Sequence, residues 1–204
     1  MRRLKAKVLV VLVAVLPALP GIAQEQWWQF RGPEGNGHSR SAALPLRWDE
    51  ENIVWKTQIH DRGWSSPVIW GDQIWITTAT QDGHKLFAVC VDKNSGEIVH
   101  DLPVFEVESP MPITLDNTYA TPTPVVEEGR VYVHYGTYGT ACLNTRSGEM
   151  IWSRRDLNCD HEAGAGPASS PILAGDLLVF HVDGRDVQYV VALHKATGET
   201  AWKS

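Results

Sequence analysis

The sequence predicts an all-β chain, a β-propeller of four-stranded antiparallel blades with about three blades and one extra strand present. Two phrases and a pattern of punctuation carry that reading. The first phrase occurs three times, as Cys90-Val91-Asp92-Lys93-Asn94-Ser95-Gly96-Glu97-Ile98-Val99-His100, Cys142-Leu143-Asn144-Thr145-Arg146-Ser147-Gly148-Glu149-Met150-Ile151-Trp152 and Ala192-Leu193-His194-Lys195-Ala196-Thr197-Gly198-Glu199-Thr200-Ala201-Trp202. Its glycines stand 52 and 50 residues apart. A second phrase keeps step with it: Ser65-Ser66-Pro67-Val68, Thr121-Pro122-Thr123-Pro124-Val125 and Ser169-Ser170-Pro171-Ile172. Two motifs in fixed order at a period near fifty define a repeat architecture. Short apolar runs between Gly, Pro and Asn/Asp clusters make the repeating unit one of strands.

Three segments follow in order. Residues 1–23 read as an export signal: Arg2, Arg3, Lys5 and Lys7, an apolar run from Val8 to Leu16, and a small-residue cleavage site ending at Ala23. The apolar run is far shorter than the ~20 residues of a spanning helix. Residues 24–52 lie outside the repeat and form an irregular arm whose aromatics, Trp27 and Trp28, are expected to pack on the repeat body rather than stack on a ligand. Residues 53–204 hold the repeats, entered at Ile53-Val54-Trp55-Lys56, which matches the closing strand of a unit.

Within the first unit the strands fall at 65–70, 73–78, 85–91 and 97–102. The later units repeat this at 131–135, 140–143 and 149–153, then at 177–182, 188–193 and 199–202. The eleven-residue phrase spans the turn between third and fourth strands. Gly96, Gly148 and Gly198 supply the positive φ that such a turn needs. Asp92 and Asn144 are placed to accept from turn amides, with Ser95, Ser147 and Thr197 doing so more weakly. Trp152 and Trp202 close the fourth strands and are expected to pack on the neighbouring blade, whereas His100 makes a weaker contact in the first unit.

Charge and cysteine usage narrow the partners. The formal net charge is −6, and −10 once the four basic residues of the export signal are removed. An acidic surface without basic clusters argues against nucleic acid and anionic membranes as partners. Cys90 and Cys142 occupy a small-residue slot filled by Ala192 in the third copy, so they read as small buried strand residues. Cys159 lies in a loop and receives no role.

The phrase resembles the tryptophan-docking motif of quinoprotein-type (PQQ-like) eight-bladed β-propellers, Ala-x-Asp-x-x-Thr-Gly-x-x-x-Trp, across residues 53–204. Trp28-Gln29-Phe30-Arg31-Gly32-Pro33 and Ser65-Ser66-Pro67-Val68 also resemble the opening of exported bacterial PQQ-like repeat proteins. The resemblance implies an eight-bladed ring when complete, so the chain is either the N-terminal part of a longer protein or a half-propeller that associates; we favour the first. It also implies a periplasmic or extracellular location. Dehydrogenases of this fold hold PQQ (pyrroloquinoline quinone) between a Trp and a vicinal disulfide, with Ca²⁺ on Glu, Asn and Asp. The chain has no adjacent cysteine pair, and no residue is carried over to those roles. PQQ with Ca²⁺ therefore attaches only to the alternative reading, a PQQ-dependent periplasmic dehydrogenase (quinoprotein) whose active-site residues lie partly outside this chain. The first reading is a non-catalytic scaffold whose partners are other proteins or an extracytoplasmic ligand, together with the remaining blades.

Four residues are candidates for a channel-facing cluster. His134 and His181 fall at equivalent strand positions, five residues after Gly129 and six after Gly175, where the first unit has Thr77. Asp183 follows His181, and His161 stands in the Cys159-Asp160-His161-Glu162 loop. Imidazole and carboxylate suit several transition metals, but no short-range ligand spacing supports a metal site, and polar strand ends bonded to backbone or water are the plainer reading. Gly164-Ala165-Gly166-Pro167 is neither a P-loop nor a dinucleotide turn, and no Gly-x-Ser-x-Gly elbow is present.

Overall fold

Each predicted repeat forms one sheet. The structure, a computed structural model, describes residues 26–41, 44–161 and 164–204. The export signal at 1–23 and Glu162 lie outside the described residues. The first sheet contains β1 (Val68–Trp70), β2 (Gln73–Ala79), β3 (Lys85–Asp92) and β4 (Ile98–Glu106). In the second are β5 (Val125–Glu127), β6 (Arg130–His134), β7 (Thr140–Asn144) and β8 (Met150–Arg154), and in the third β9 (Ile172–Ala174), β10 (Leu177–Asp183), β11 (Gln188–His194) and β12 (Thr200–Lys203). In every sheet the strands pair antiparallel in chain order.

Two strands differ from the sequence reading by more than a residue at one end. β1 starts at Val68 rather than at Ser65. Pro67 has no N–H to give a ladder, the Ser65 hydroxyl accepts from the Thr77 amide at 2.9 Å, and the Ser66 amide donates to Thr123 Oγ1 at 2.9 Å. β4 continues past Leu102 to Glu106 and carries Pro103, which an edge strand tolerates.

The repeated phrase builds a turn and a joint. Asp92 Oδ1 accepts from the amides of Asn94 and Ser95, and Asn144 Oδ1 accepts from those of Arg146 and Ser147. In the third copy the turn rests on backbone bonds from the Thr197 and Gly198 amides to the His194 carbonyl. The joint joins one sheet to the next. Trp152 lies flat against Gly198, where a methyl group would stand 2.6 Å from the ring, and its Nε1 donates to the Lys195 carbonyl at 3.0 Å. Trp55 does the same on Gly96, with Nε1 donating to the Lys93 carbonyl at 2.9 Å. His100 takes that position over Gly148 and reaches the Thr145 carbonyl at 3.2 Å. In all three joints the accepting carbonyl lies three residues before the glycine. Two residues beyond the docking ring a second side chain bonds the glycine itself: Thr57 Oγ1 donates to the Gly96 carbonyl and Arg154 Nη1 to that of Gly198. Residues 53–57 are not paired into a sheet, yet they hold Trp55 where a fourth strand would.

The core lies between sheets. One cluster joins Trp75, Leu86, Ala88 and Cys90 of the first sheet to Val126, Val131, Val133, Ala141 and Leu143 of the second. Alternation along the second sheet then turns Val125, Tyr132, Cys142 and Trp152 toward Leu178, Phe180, Val182, Val191 and Leu193 of the third. Such burial stabilises by roughly 25 cal/mol per Å² of apolar surface. Trp28 packs against both clusters, and its carbonyl accepts from the Val126 amide at 2.9 Å. Trp27 bridges to Ile69.

Candidate functional site

Register decides which polar side chains meet. The small residues Cys90, Cys142 and Ala192 pair with Trp75, Tyr132 and Val179. Two residues further along each second strand come Thr77, His134 and His181, so these three occupy one structural position. In the first sheet the Thr77 hydroxyl faces the carbonyls of Ala120 and Pro122. In the second and third sheets the same position carries an imidazole.

Both histidines line a cavity of about 250 Å³, together with His161, Asp183, Cys159 and Ser169. Its wall comes from the ends of β6 and β10 and from the loop joining β8 to β9, all at one end of the sheets. All four sequence candidates therefore meet at one place. His134 is 2% exposed, its Nδ1 lies 2.8 Å from Thr140 Oγ1, and its ring packs on Phe180 with centroids 4.4 Å apart. Burial, and secondarily the nearby His161 and His181, hold its pKa down at about 3. Burial also lowers His161, against the opposing pull of Asp160 and Asp186. His161 Nε2 accepts from the Thr137 amide at 3.5 Å, and its Nδ1 stands 3.8 Å from Cys159 Sγ. His181 is exposed and shares a hydrogen bond of 3.1 Å between its Nδ1 and Ser169 Oγ.

The loop that brings His161 to the cavity is tied down across a long sequence distance. Asp186 Oδ1 accepts from the Asp160 amide at 2.7 Å, Arg185 pairs with the Asp160 carboxylate, and the Cys159 amide donates to Thr137 Oγ1 at 3.2 Å. Gly136 sits at φ +58 with His161 and Pro167 pressed against it, and a methyl group there would lie 2.7 Å from Pro167. Only glycine meets both demands.

Ser169 and Cys159 belong to the wall although the sequence reading gave neither a role there. Ser169 is the counterpart of Ser65, whose hydroxyl bonds the backbone of Thr77, and where Thr77 is replaced by His181 the hydroxyl meets an imidazole instead. Cys159 is buried, and its thiol is pushed up to about 11 by burial and then by Asp186, Asp160 and Asp183. Burial likewise raises Cys90 and Cys142 to about 12. Among the described residues no three His, Cys, Asp or Glu side chains gather closely enough to hold one metal ion.

Comparison with known proteins places this geometry. Residues 115–204 match the family model described as Outer membrane protein assembly factor BamB. No curated protein matches the sequence at a significant level. Among solved structures, a europium-containing methanol dehydrogenase is similar over 88% of this chain and 32% of its own, at 14% identity and a TM-score of 0.59. The quinohemoprotein alcohol dehydrogenase ADHIIG from Pseudomonas putida HK5 is similar over 73% of this chain and 21% of its own, at 16% identity and a TM-score of 0.52. That from Comamonas testosteroni is similar over 71% and 21%, at 13% identity and a TM-score of 0.52. The chain thus spans about a fifth to a third of the length of these structures, and the likeness is one of fold.

The described residues do not fit a quinone and its calcium. Cys90, Cys142 and Cys159 are all free and sit in β3, in β7 and in the loop after β8, so no vicinal disulfide is available to lie against a quinone ring. Among the described residues the cavity wall offers a single carboxylate, Asp183, where a hard divalent cation takes several oxygen ligands.

Proposed function

We propose that this chain, a PQQ-like β-propeller repeat protein, is an exported, non-catalytic scaffold that binds other proteins through the loop end of its sheets. The observation that carries this reading is the exposed apolar surface on the loops at one end of the sheets. Three large apolar side chains at the cavity end form it. Trp64, Leu115 and Val187 are 52%, 86% and 37% exposed. Loops carried on a rigid sheet frame are where binding residues concentrate. The match to the assembly-factor family model over residues 115–204 supports a protein partner, and no helix among the described residues is long and apolar enough to cross a membrane.

Under the same reading Trp202, at 43% exposed, is a docking ring awaiting the turn of a following blade. The test of the scaffold role is photo-cross-linking. A photoreactive residue placed at Leu115 in the protein expressed in its native host should yield discrete light-dependent adducts with one or a few exported proteins. Light-dependent adducts absent at Leu115 and also at Trp64 and Val187 would overturn it.

A further inference from the structure

We propose that a small cavity at the loop end of the first sheet receives a carboxylate of the partner protein, from an Asp, a Glu or a C-terminus that lies beside an apolar residue. This rests on the scaffold reading and names what the partner presents. The first observation is an unpaired cation. Arg62 is half-buried and lines a cavity of about 70 Å³. Its guanidinium makes no hydrogen bond, ion pair or ring contact among the described residues, whereas Arg154 and Arg185 each pair with an Asp. Withdrawing a charge from water without pairing it is costly. A carboxylate would pair it, and a guanidinium takes one through two parallel N–H···O bonds.

The backbone presents Arg62 from a fixed place. Its amide donates to the Ala79 carbonyl at 3.0 Å and its carbonyl accepts from the Ala79 amide at 2.8 Å, which pins it to the end of β2. On one side Asp61 stands at φ +57, its carboxylate 2.7 Å from His60 Nδ1. On the other, a methyl group at Gly63 would overlap the Thr77 carbonyl. Asp61, Asp82 and Asp116 flank wall residues in sequence, yet none pairs with Arg62. Asp61 is taken by His60, and Asp82 accepts from Thr80 Oγ1 at 2.6 Å and from the His84 amide at 3.1 Å. Gln81 and Thr114 add an amide and a hydroxyl to the wall, and neither side chain is bonded among the described residues. A volume of about 70 Å³ suits one carboxylate and is far below the ~300–1,000 Å³ of drug-sized ligands. Leu115 on the wall and Trp64, two residues after Arg62, are 86% and 52% exposed and would cover the apolar neighbour of that carboxylate.

Photo-cross-linking in the native host, with the photoreactive residue at Leu115 or Trp64, tests this when repeated in three variants. Arg62→Gln should cut the light-dependent adduct yield by about tenfold, the worth of one hydrogen bond to a charged group. Arg62→Lys keeps the charge without the planar fork and should give an intermediate yield. Lys85→Gln removes an exposed cation from the same end of the sheet and should leave the yield unchanged. The Arg62 side chain holds nothing in the fold, so the urea midpoint of Arg62→Gln should match that of the parent. Mass spectrometry should place an Asp, a Glu or a C-terminus within about three residues of the link, a span of roughly 10 Å. Adducts absent at Leu115, Trp64 and Val187 alike would overturn the scaffold reading and this inference with it. Adducts at Val187 alone, adducts undiminished in Arg62→Gln, an equal fall in Lys85→Gln, or a linked segment without a carboxylate would overturn this inference alone.

Discussion

Trp152 makes the second sheet one body with the third, and its cost of removal measures that joint. The ring is 9% exposed, covers Gly198 and bonds the Lys195 carbonyl, so Trp152→Ala should lower unfolding free energy by about 3–5 kcal/mol in a urea titration. Trp202 holds the same place in its own phrase but is 43% exposed, so Trp202→Ala should cost under about 1 kcal/mol. Equal costs would mean that docking does not stabilise the joint. His134 gives the fold a pH dependence of definite sign. Folded, it stays neutral down to about pH 3, while in the unfolded chain it takes up a proton near 6.5. The unfolded state then binds more protons across that window, so stability is full above pH 6.5 and falls as pH drops toward 3, at up to about 1.4 kcal/mol per pH unit. His161, also lowered, adds to the same slope. Urea midpoints measured from pH 7 to pH 4 should fall, and His134→Gln should flatten that fall.

The docking joint is the element that repeats, and glycine substitutions isolate it. Gly198 and Gly175 both lie at positive φ, at +75 and +61, but a methyl group at Gly198 would meet Trp152 at 2.6 Å while one at Gly175 would meet nothing within 4 Å. Both Ala substitutions carry the left-handed penalty of about 1–2 kcal/mol. Gly198→Ala should cost clearly more in thermal unfolding, and the excess is the price of displacing the ring. Most of this element was legible in the sequence, because turn, glycine and ring recur at fixed spacing and the physics of each is local. Strand ends were less legible. β1 lost residues 65–67 to side-chain bonds with Thr77 and Thr123, the latter in the segment that leads into the second sheet, and no local pattern reports such bonds. The site divides in the same way. The equivalences of His134 with His181 and of Ser65 with Ser169 follow from repeat register, whereas Cys159 enters the wall through a loop without periodicity. That loop is held by Asp186 and Arg185, some 25 residues downstream of Asp160.

At the scale of the whole molecule, two intersheet cores are closed and one face is open. The outer face of the third sheet leaves Trp202 and Val190 at 43% and 39% exposed, whereas their counterparts in the second sheet, Trp152 and Thr140, are at 9% and 1%. Covering that face with another blade, in the native polypeptide or from a second copy, is what the account requires. The native protein should therefore sediment as more than one copy of three sheets, and a stable particle of only these three sheets would count against it. The central claim is that the PQQ-like frame serves binding and not quinone chemistry. Its most direct test is a titration of the purified native protein with PQQ in the presence of Ca²⁺, following tryptophan quenching and alcohol- or sugar-dependent dye reduction. The account predicts no saturable quenching and no dye reduction above the protein-free control. Saturable quenching accompanied by substrate-dependent dye reduction would contradict it.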